Sequence, residues 1–265
     1  MKVDSLSAAS VSGLLSTAWA GRPVVFEKEV DSTNLMVRRL ADQGMPHGTL
    51  ALAELQMAGR GRRGREWFSP EGSGIWMSLL LRPALAAEKI SMLTIITAMA
   101  VYDGLAPLVS DLSIKWPNDL LIGQKKVCGI LTEMVPSESS LPLVVVGIGI
   151  NVNTEDFPED LAEIATSLRA AAGKSFDRSR IIADIMQAFE ARYAQLTACG
   201  DLRDMREAYE DRLVCKKRRI NMISPAGVTS GTAEGIDDLG HLLVRMADGS
   251  LQSVMSGEIS VRNSN

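Results

Sequence analysis

Four arginines, Arg60, Arg62, Arg63 and Arg65, stand within six residues and alternate with Gly59, Gly61 and Gly64. Guanidinium groups present forked donors that match phosphate and carboxylate oxygens. Glycines let backbone N–H groups come close to a ligand. The combination describes an anion clamp; a solvated basic loop or an RNA-contacting patch reads equally well from this segment alone. The glycines also fit G-x-G-x-x-G, but Trp67-Phe68-Ser69-Pro70 follows where a dinucleotide fold needs a helix, so that fold is rejected.

Three further segments carry chemistry. Lys115-Trp116-Pro117-Asn118-Asp119 gathers an amine, an amide and a carboxylate beside a rigid proline, suited to phosphate or Mg²⁺ and equally to a strand-end turn. Lys126 heads the apolar run Val127-Cys128-Gly129-Ile130-Leu131, where its amine either reaches solvent or meets an anion. Gly147 and Gly149 interrupt an apolar strand that ends in Asn151 and Asn153, which marks close approach of a ligand or of another backbone. Neither His47 nor His241 has a nucleophile context, so positioning and charge neutralisation are favoured over histidine acid–base chemistry. Cys128 reads as a small core residue.

The elements that must position these groups follow from pattern. Residues 5–19 are weakly amphipathic. Strands are expected at 24–30, 49–55, 75–81, 113–116, 120–122, 126–134 and 143–150, the last buried on both faces. Asp31-Ser32-Thr33-Asn34 caps a helix running to Leu40, with Gly44 as its stop. Helices are expected at 88–109, 178–198 and 202–213, and polar loops at 56–74 and 154–174. Gly123-Gln124 reads as a hairpin turn. From Lys216, five short strands separated by glycine turns read as a small antiparallel barrel. The order of elements favours α+β, a mixed sheet with packed helices, and divides the chain into residues 1–215 and 216–265.

The chain has 265 residues, ample for a hydrophobic core, and a formal net charge of −4. Mild acidity argues against a general nucleic-acid or membrane-surface binder. Three cysteines without C-x-x-C spacing point to a reducing, cytoplasmic setting. No apolar window reaches the ~18–20 residues of a membrane helix, and residues 1–20 lack a signal-peptide core.

Taken in order, these segments resemble the biotin protein ligases. The resemblance rests on Asp31-Ser32-Thr33-Asn34, Glu54 and Gln56, the arginine loop with Trp67 and Ser69-Pro70, Lys115-Trp116-Pro117-Asn118-Asp119, Lys126 to Leu131, Gly147 with Asn151, and Gly257-Glu258-Ile259-Ser260. It spans Val30 to Arg262. It implies a catalytic core like that of class II aminoacyl-tRNA synthetases, followed by an SH3-like barrel. It implies activation of biotin by MgATP to biotinyl-5′-AMP, then transfer to a lysine of a carrier domain of biotin-dependent carboxylases. Ser32, Thr33, Asn34 and Gln56 would hold the biotin ring and ureido group, with Gly59, Arg60, Gly61, Arg62, Lys126 and Gly129 completing that site. Lys126 and Arg62 would be catalytic. Arg65, Trp67, Lys115, Asn118, Asp119 and Asn151 would face ATP, with Asp119 the candidate for Mg²⁺. The tryptophan that covers adenine in some members is missing from residues 163–168, leaving Ile164 or Ala165 to supply apolar contact. Repressor members carry an N-terminal DNA-binding domain; the 30 residues before Asp31 are fewer than the ~50 of a small domain, so the monofunctional type is expected, with neither DNA nor membrane as a partner. Pairing of two copies is left open. A lipoate–protein ligase of the same superfamily is the sister reading. A nucleic-acid module using the arginine loop and Lys216-Lys217-Arg218-Arg219 is the reading from another class.

Overall fold

A computed structural model describes residues 5–136, 141–224, 227–255 and 257–261. The elements run α1 (Ala8–Ser12), β1 (Val24–Val30), α2 (Thr33–Asp42), β2 (Leu50–Gln56), β3 (Gly74–Leu81), α3 (Ser91–Leu105), β4 (Leu112–Lys115), β5 (Asp119–Ile122), β6 (Lys125–Val135) and β7 (Leu143–Asn151). Then come α4 (Glu159–Ala162), α5 (Leu168–Ala172), α6 (Arg178–Cys199), α7 (Arg206–Glu210), β8 (Arg219–Ser224), β9 (Gly227–Ile236), β10 (Leu242–Arg245), β11 (Leu251–Val254) and β12 (Glu258–Val261). Seven strands form a mixed sheet in the order β1-β2-β3-β7-β6-β5-β4. Only β1 and β2 pair in parallel, through the α2 crossover; the remaining neighbours are antiparallel.

Alternate residues of each central strand go to opposite faces. Leu50 and Leu52, Ile75, Met77, Leu79 and Leu81, and Val144, Val146, Ile148 and Ile150 join the large cluster with α3 and α6. Ala51, Ala53, Leu80, Leu143 and Val145 pack instead against Met36 and Val37 of α2. The strand at 143–150 is buried on both faces, as its unbroken apolar run predicts.

Several expected elements differ. The helix at 88–109 is shorter, and that at 202–213 keeps only the single turn of α7. The stretch at 5–19 forms one short helix, and the loop at 154–174 contains α4 and α5. These are segments of weak periodicity whose backbone is set by what they dock on.

The expected C-terminal barrel is not found. Its five strands make an open antiparallel sheet in the order β11-β10-β9-β8-β12, and no pairing between the edge strands β11 and β12 is present among the described residues. A barrel requires its first and last strands to hydrogen-bond. Among the described residues β11 pairs only with β10 and β12 only with β8. A register shift between β9 and β10 at Leu243/Val244 bends the sheet without closing it. Five short strands with glycine turns look alike in sequence whether or not the edges meet. The chain ends expected in the two domains, residues 1–4 and 262–265, lie outside the described residues, as does Arg262.

The open sheet sits on the larger one. Ile220, Ala233, Ile236, Leu242, Val244 and Ile259 share the large apolar cluster. The Trp116 indole N–H donates to the Gly240 carbonyl at 2.9 Å, and the Ile236 N–H donates to Glu210 at 3.0 Å. No helix among the described residues is long and apolar enough to cross a membrane.

Glu190, on α6, anchors the N-terminal turn: its carboxylate accepts the backbone N–H groups of Ala18, Trp19 and Ala20, each at 2.8 Å. Burial acts to raise its pKa, but these three bonds and Arg22 outweigh it and hold the carboxyl below its usual range. A depressed carboxyl stabilises the fold fully above its unfolded pKa and loses that effect as pH falls through the folded value. Glu190→Gln, with one acceptor oxygen in place of two, should cost about 1–2 kcal/mol near neutral pH. In urea unfolding the gap between variant and parent should narrow as pH falls below the ordinary carboxylate range and close only below the depressed folded pKa of Glu190, where both side chains are neutral.

Candidate active site

The site opens on the α2 face of the sheet, where that face runs out of large side chains. Along the central strands the positions facing α2 pass from larger side chains to small ones, and on β3 bulk returns only at Trp76, opposite Gly149 and against Trp67. On β7, Leu143 and Val145 give way to Gly147 and Gly149; on β3, Leu80 gives way to Ser78. On β6, Glu133 and Leu131 are followed by Gly129. The register sets these small residues side by side: Ser78 opposite Gly147, and Gly129 opposite Gly149.

Each gap is filled by a named group. A Cβ built on Gly147 would lie 2.1 Å from Asn34 Oδ1, and one on Gly149 would lie 2.5 Å from Trp67 Nε1. One on Gly129 would meet the Trp67 ring at 2.8 Å and Lys126 Nζ at 3.0 Å. The sequence left ligand approach and backbone approach open for these glycines; here side chains of the site itself come close.

Asn34, Thr33 and Ser32 arrive together because Ser32 caps α2, accepting the Asn34 N–H at 3.3 Å. All three are nearly buried. Gln56, at the end of β2, accepts the Thr33 N–H at 2.8 Å and the Thr33 hydroxyl at 3.1 Å. Its amide then donates to Ser69 at 2.8 Å. Beneath them lies Ser78, fully buried, whose hydroxyl is 2.6 Å from Asn34 Oδ1 and 2.8 Å from Thr33 Oγ1. With one proton it serves one of these acceptors at a time. Asn34 Nδ2 donates to Glu133 at 2.7 Å. Ser69 entered the sequence reading only as part of the Ser69-Pro70 match, with no role given; Ser78 and Glu133 were not singled out, and the available signal for them was polarity at inward positions of otherwise apolar strands.

Lys126 reaches the same face through an irregularity. Residues three apart on a regular strand point to opposite sides. Between β5 and β6 the register shifts at Leu120/Leu121, inserting one extra residue and bringing Lys126 round to Gly129. Its ammonium lies 2.7 Å from Asp119 Oδ1 and 5.0 Å from the centroid of the Trp67 ring. The Asp119 contact is close but lacks hydrogen-bond geometry, so it is an ion pair. The bland expectation, a lysine reaching bulk solvent, is replaced by a partnered amine on the cavity wall. The Lys126 backbone is fixed by Ile164 and Thr166, which bond it on both sides. Cys128 faces the core, and burial pushes its thiol far above its usual range, which leaves it unreactive.

The arginine loop is a small hairpin. Gly61 N–H donates to the Arg65 carbonyl and Trp67 N–H to the Gly59 carbonyl, with a bridge between Arg60 and Glu66. Gly59 is required at its neck, where a Cβ would sit 2.4 Å from the Trp67 carbonyl oxygen. Arg63 turns the tip at φ +57°. Arg62 donates to Asn118 Oδ1 at 2.7 Å, and Asn118 donates onward to the Ile130 carbonyl at 3.0 Å.

Two cavities meet beneath this hairpin. The smaller, about 40 Å³, is lined by Ser32, Thr33, Asn34, Gln56, Arg60 and the three strand glycines. The larger, about 470 Å³, is lined by Arg65, Lys115, Asp119, Asn151, Ile164 and Ala165, with Phe68, Phe157 and Ile259. Gly61, Arg62, Trp67, Asn118 and Lys126 line both. Gly59 alone of the expected site residues lines neither and acts through the hairpin neck. Among the described residues no cluster of three or more His, Cys, Asp or Glu forms a metal site. Asp119 offers a single carboxylate already paired with Lys126. Gly147→Ala should push Asn34 from its bonds to Ser78 and Glu133 and cost about 1–3 kcal/mol, read as a lower urea midpoint; an unchanged midpoint would contradict the packing described.

The profile of the Biotin/lipoate A/B protein ligase family matches residues 26–151, and that of the Biotin protein ligase C terminal domain matches residues 218–262. The bifunctional ligase/repressor BirA of Bacillus subtilis is 39% identical, over 98% of this chain and 80% of its own length. The biotin–[acetyl-CoA-carboxylase] ligase of Paracoccus denitrificans is 35% identical over 81% of this chain and 91% of its own. The biotin protein ligase of Aquifex aeolicus, solved in complex with biotin and ATP, superposes with a TM-score of 0.79 at 30% identity, covering 91% of this chain and 99% of that one. The chain described here therefore belongs to the biotin protein ligase family.

Proposed function

We propose that the chain activates biotin with ATP to biotinyl-5′-AMP and transfers biotin to a lysine of a carrier protein. The observation that carries this reading is the position of Lys126. Its ammonium stands where the small polar cavity and the larger one join. That junction is where a carboxylate held in the first must meet the α-phosphorus of a nucleotide held in the second.

A carboxylate is ionised at neutral pH and needs no base. Its oxygen attacks the α-phosphorus, the new O–P bond forms, and the bond to the bridging oxygen breaks with release of pyrophosphate. Catalysis then consists of alignment and of cover for negative charge. In this reading Ser32, Thr33, Asn34 and Gln56 hold the ureido end. Lys126 and Arg62 meet the carboxylate and α-phosphate, and Arg65, Trp67, Lys115, Asn118 and Asn151 face the nucleotide. Asp119, now paired with Lys126, would be the protein's contact to a Mg²⁺ accompanying ATP, and that ion would supply charge neutralisation at the phosphates. In the second step the carrier's amine attacks the acyl carbon, the amide forms, and AMP leaves with the proton passing to solvent.

The small cavity is far below the roughly 300 Å³ of a typical ligand site. Arg62 and Trp67 occupy its mouth, so binding of biotin entails movement of the hairpin, which then excludes water from the acyl phosphate. We assign the chemistry to residues 1–215. Residues 216–265 add a wall, supported by Gly257 and Ile259 lining the larger cavity. A biotin carboxyl carrier domain is the proposed partner and the cytosol the proposed setting, in keeping with the free cysteines Cys128, Cys199 and Cys215.

The test is ATP–pyrophosphate exchange with biotin and lipoate side by side. Exchange should depend on biotin; exchange with lipoate alone would favour the sister activity, and none with either would overturn both. Lys126→Met should reduce exchange by about 10²–10³-fold, the cost of one charge-stabilising donor, with a modest change in stability. Near-parental turnover would remove Lys126 from its role.

A further inference from the structure

We propose that Glu133 is a positioning residue that ties the arginine hairpin to the Asn34 end of the biotin pocket. The proposal rests on the reading of the site given above. Glu133 sits on β6 facing α2, with its side chain 18% exposed. Its two carboxylate oxygens are divided. Oε2 accepts from Asn34 Nδ2 at 2.7 Å. Oε1 meets Arg38 at 3.1 Å and Arg60 at 3.5 Å. One side chain thus touches the pocket, the helix that carries the pocket, and the loop that covers it.

The two halves do different things. The bond to Asn34 settles which way its amide faces: with Nδ2 on Glu133, Oδ1 is left toward Ser78, so the donors and acceptors shown to a ureido group are decided from behind. The ion pair to Arg60 attaches the hairpin to the sheet. That attachment is weak, because Arg60 is partly exposed and surface ion pairs contribute little. Arg38, four residues after Asn34 on α2, shares the same oxygen. When the hairpin lifts away, Arg38 keeps the carboxylate paired, so departure of Arg60 leaves no orphaned charge. Glu133 is therefore a reversible latch, and the same carboxylate that feels the hairpin orients Asn34.

The experiment uses the full chain and two readouts. Limited trypsin digestion without ligand, followed by mass spectrometry, reports cleavage after Arg62, Arg63 and Arg65. Biotin-dependent exchange gives KM and kcat for biotin. Glu133→Gln keeps one acceptor for Asn34 but turns a neutral amide NH₂ toward Arg60; hairpin cleavage should quicken about two- to fivefold with an unchanged Tm. In an Arg60→Gln background the same substitution should add nothing. Glu133→Leu removes both halves and should raise KM for biotin about tenfold or more while leaving kcat nearly intact. If the leucine variant fails to fold, the KM of the glutamine variant decides, with a rise of about threefold expected. Parental cleavage, parental KM, or additive effects in the Arg60→Gln background would each overturn the proposal. If the parent shows no biotin-dependent exchange, the ligase reading falls, and the digestion alone decides whether Glu133 holds the hairpin.

Discussion

The site exists because side chains are missing from one stripe of the sheet. Gly129, Gly147 and Gly149 lie next to one another on the face that α2 covers, and Ser78 continues the row. Any Cβ on these glycines would fall within 2.1 to 2.8 Å of Asn34 or Trp67. Clearing the stripe costs apolar contact in the middle of a buried sheet. The large cluster on the opposite face, which includes every second residue of β3 and β7 from Ile75 and Val144 onward and Cys128 and Ile130 of β6, supplies the packing that the stripe gives up. Pocket and core are thus two faces of the same strands, and alternation makes them separable.

Polar groups around the stripe are chained so that few stand alone. Ser78, Thr33, Gln56 and Ser69 run from the buried sheet to the base of the arginine hairpin. Buried polar groups of this kind are expensive unless paired, and a satisfied chain holds its members in one arrangement. The charged groups follow the same logic: Lys126 with Asp119, Glu133 with Arg38 and Arg60, and the buried Arg178 with Glu54 at 3.0 Å. Arg178 also donates to the Gly74 carbonyl, which joins the ends of β2 and β3 between which the hairpin leaves and returns. A net charge of −4 hides this local matching of arginines to carboxylates.

Much of the fold was legible because its signals are local. The cap at Ser32, the alternation on β2 and β3, the unbroken run on β7 and the turn at Gly123 each depend on a few consecutive residues. The site was legible in its members, since Thr33, Gln56, Arg62, Asn118 and Lys126 do converge. Glu133 and Ser78 escaped notice because a lone polar residue in a strand is ordinary by itself. Their importance comes from Asn34, which lies 99 residues from one and 44 from the other. The expected barrel failed for a related reason. Glycine turns describe how strands are joined, while closure depends on which edges meet.

What the amino-acid sequence determined by itself is the chemical inventory and the periodicity: which residues can carry anions, and which strands bury one face or two. Both follow from side-chain type and from spacing along a few residues. Tertiary structure alone decided that the strand glycines face Asn34 and Trp67, that a one-residue shift turns Lys126 toward the cavity, and that the C-terminal sheet stays open. Those outcomes rest on register between strands distant in sequence, and a displacement of one residue exchanges the two faces of a strand.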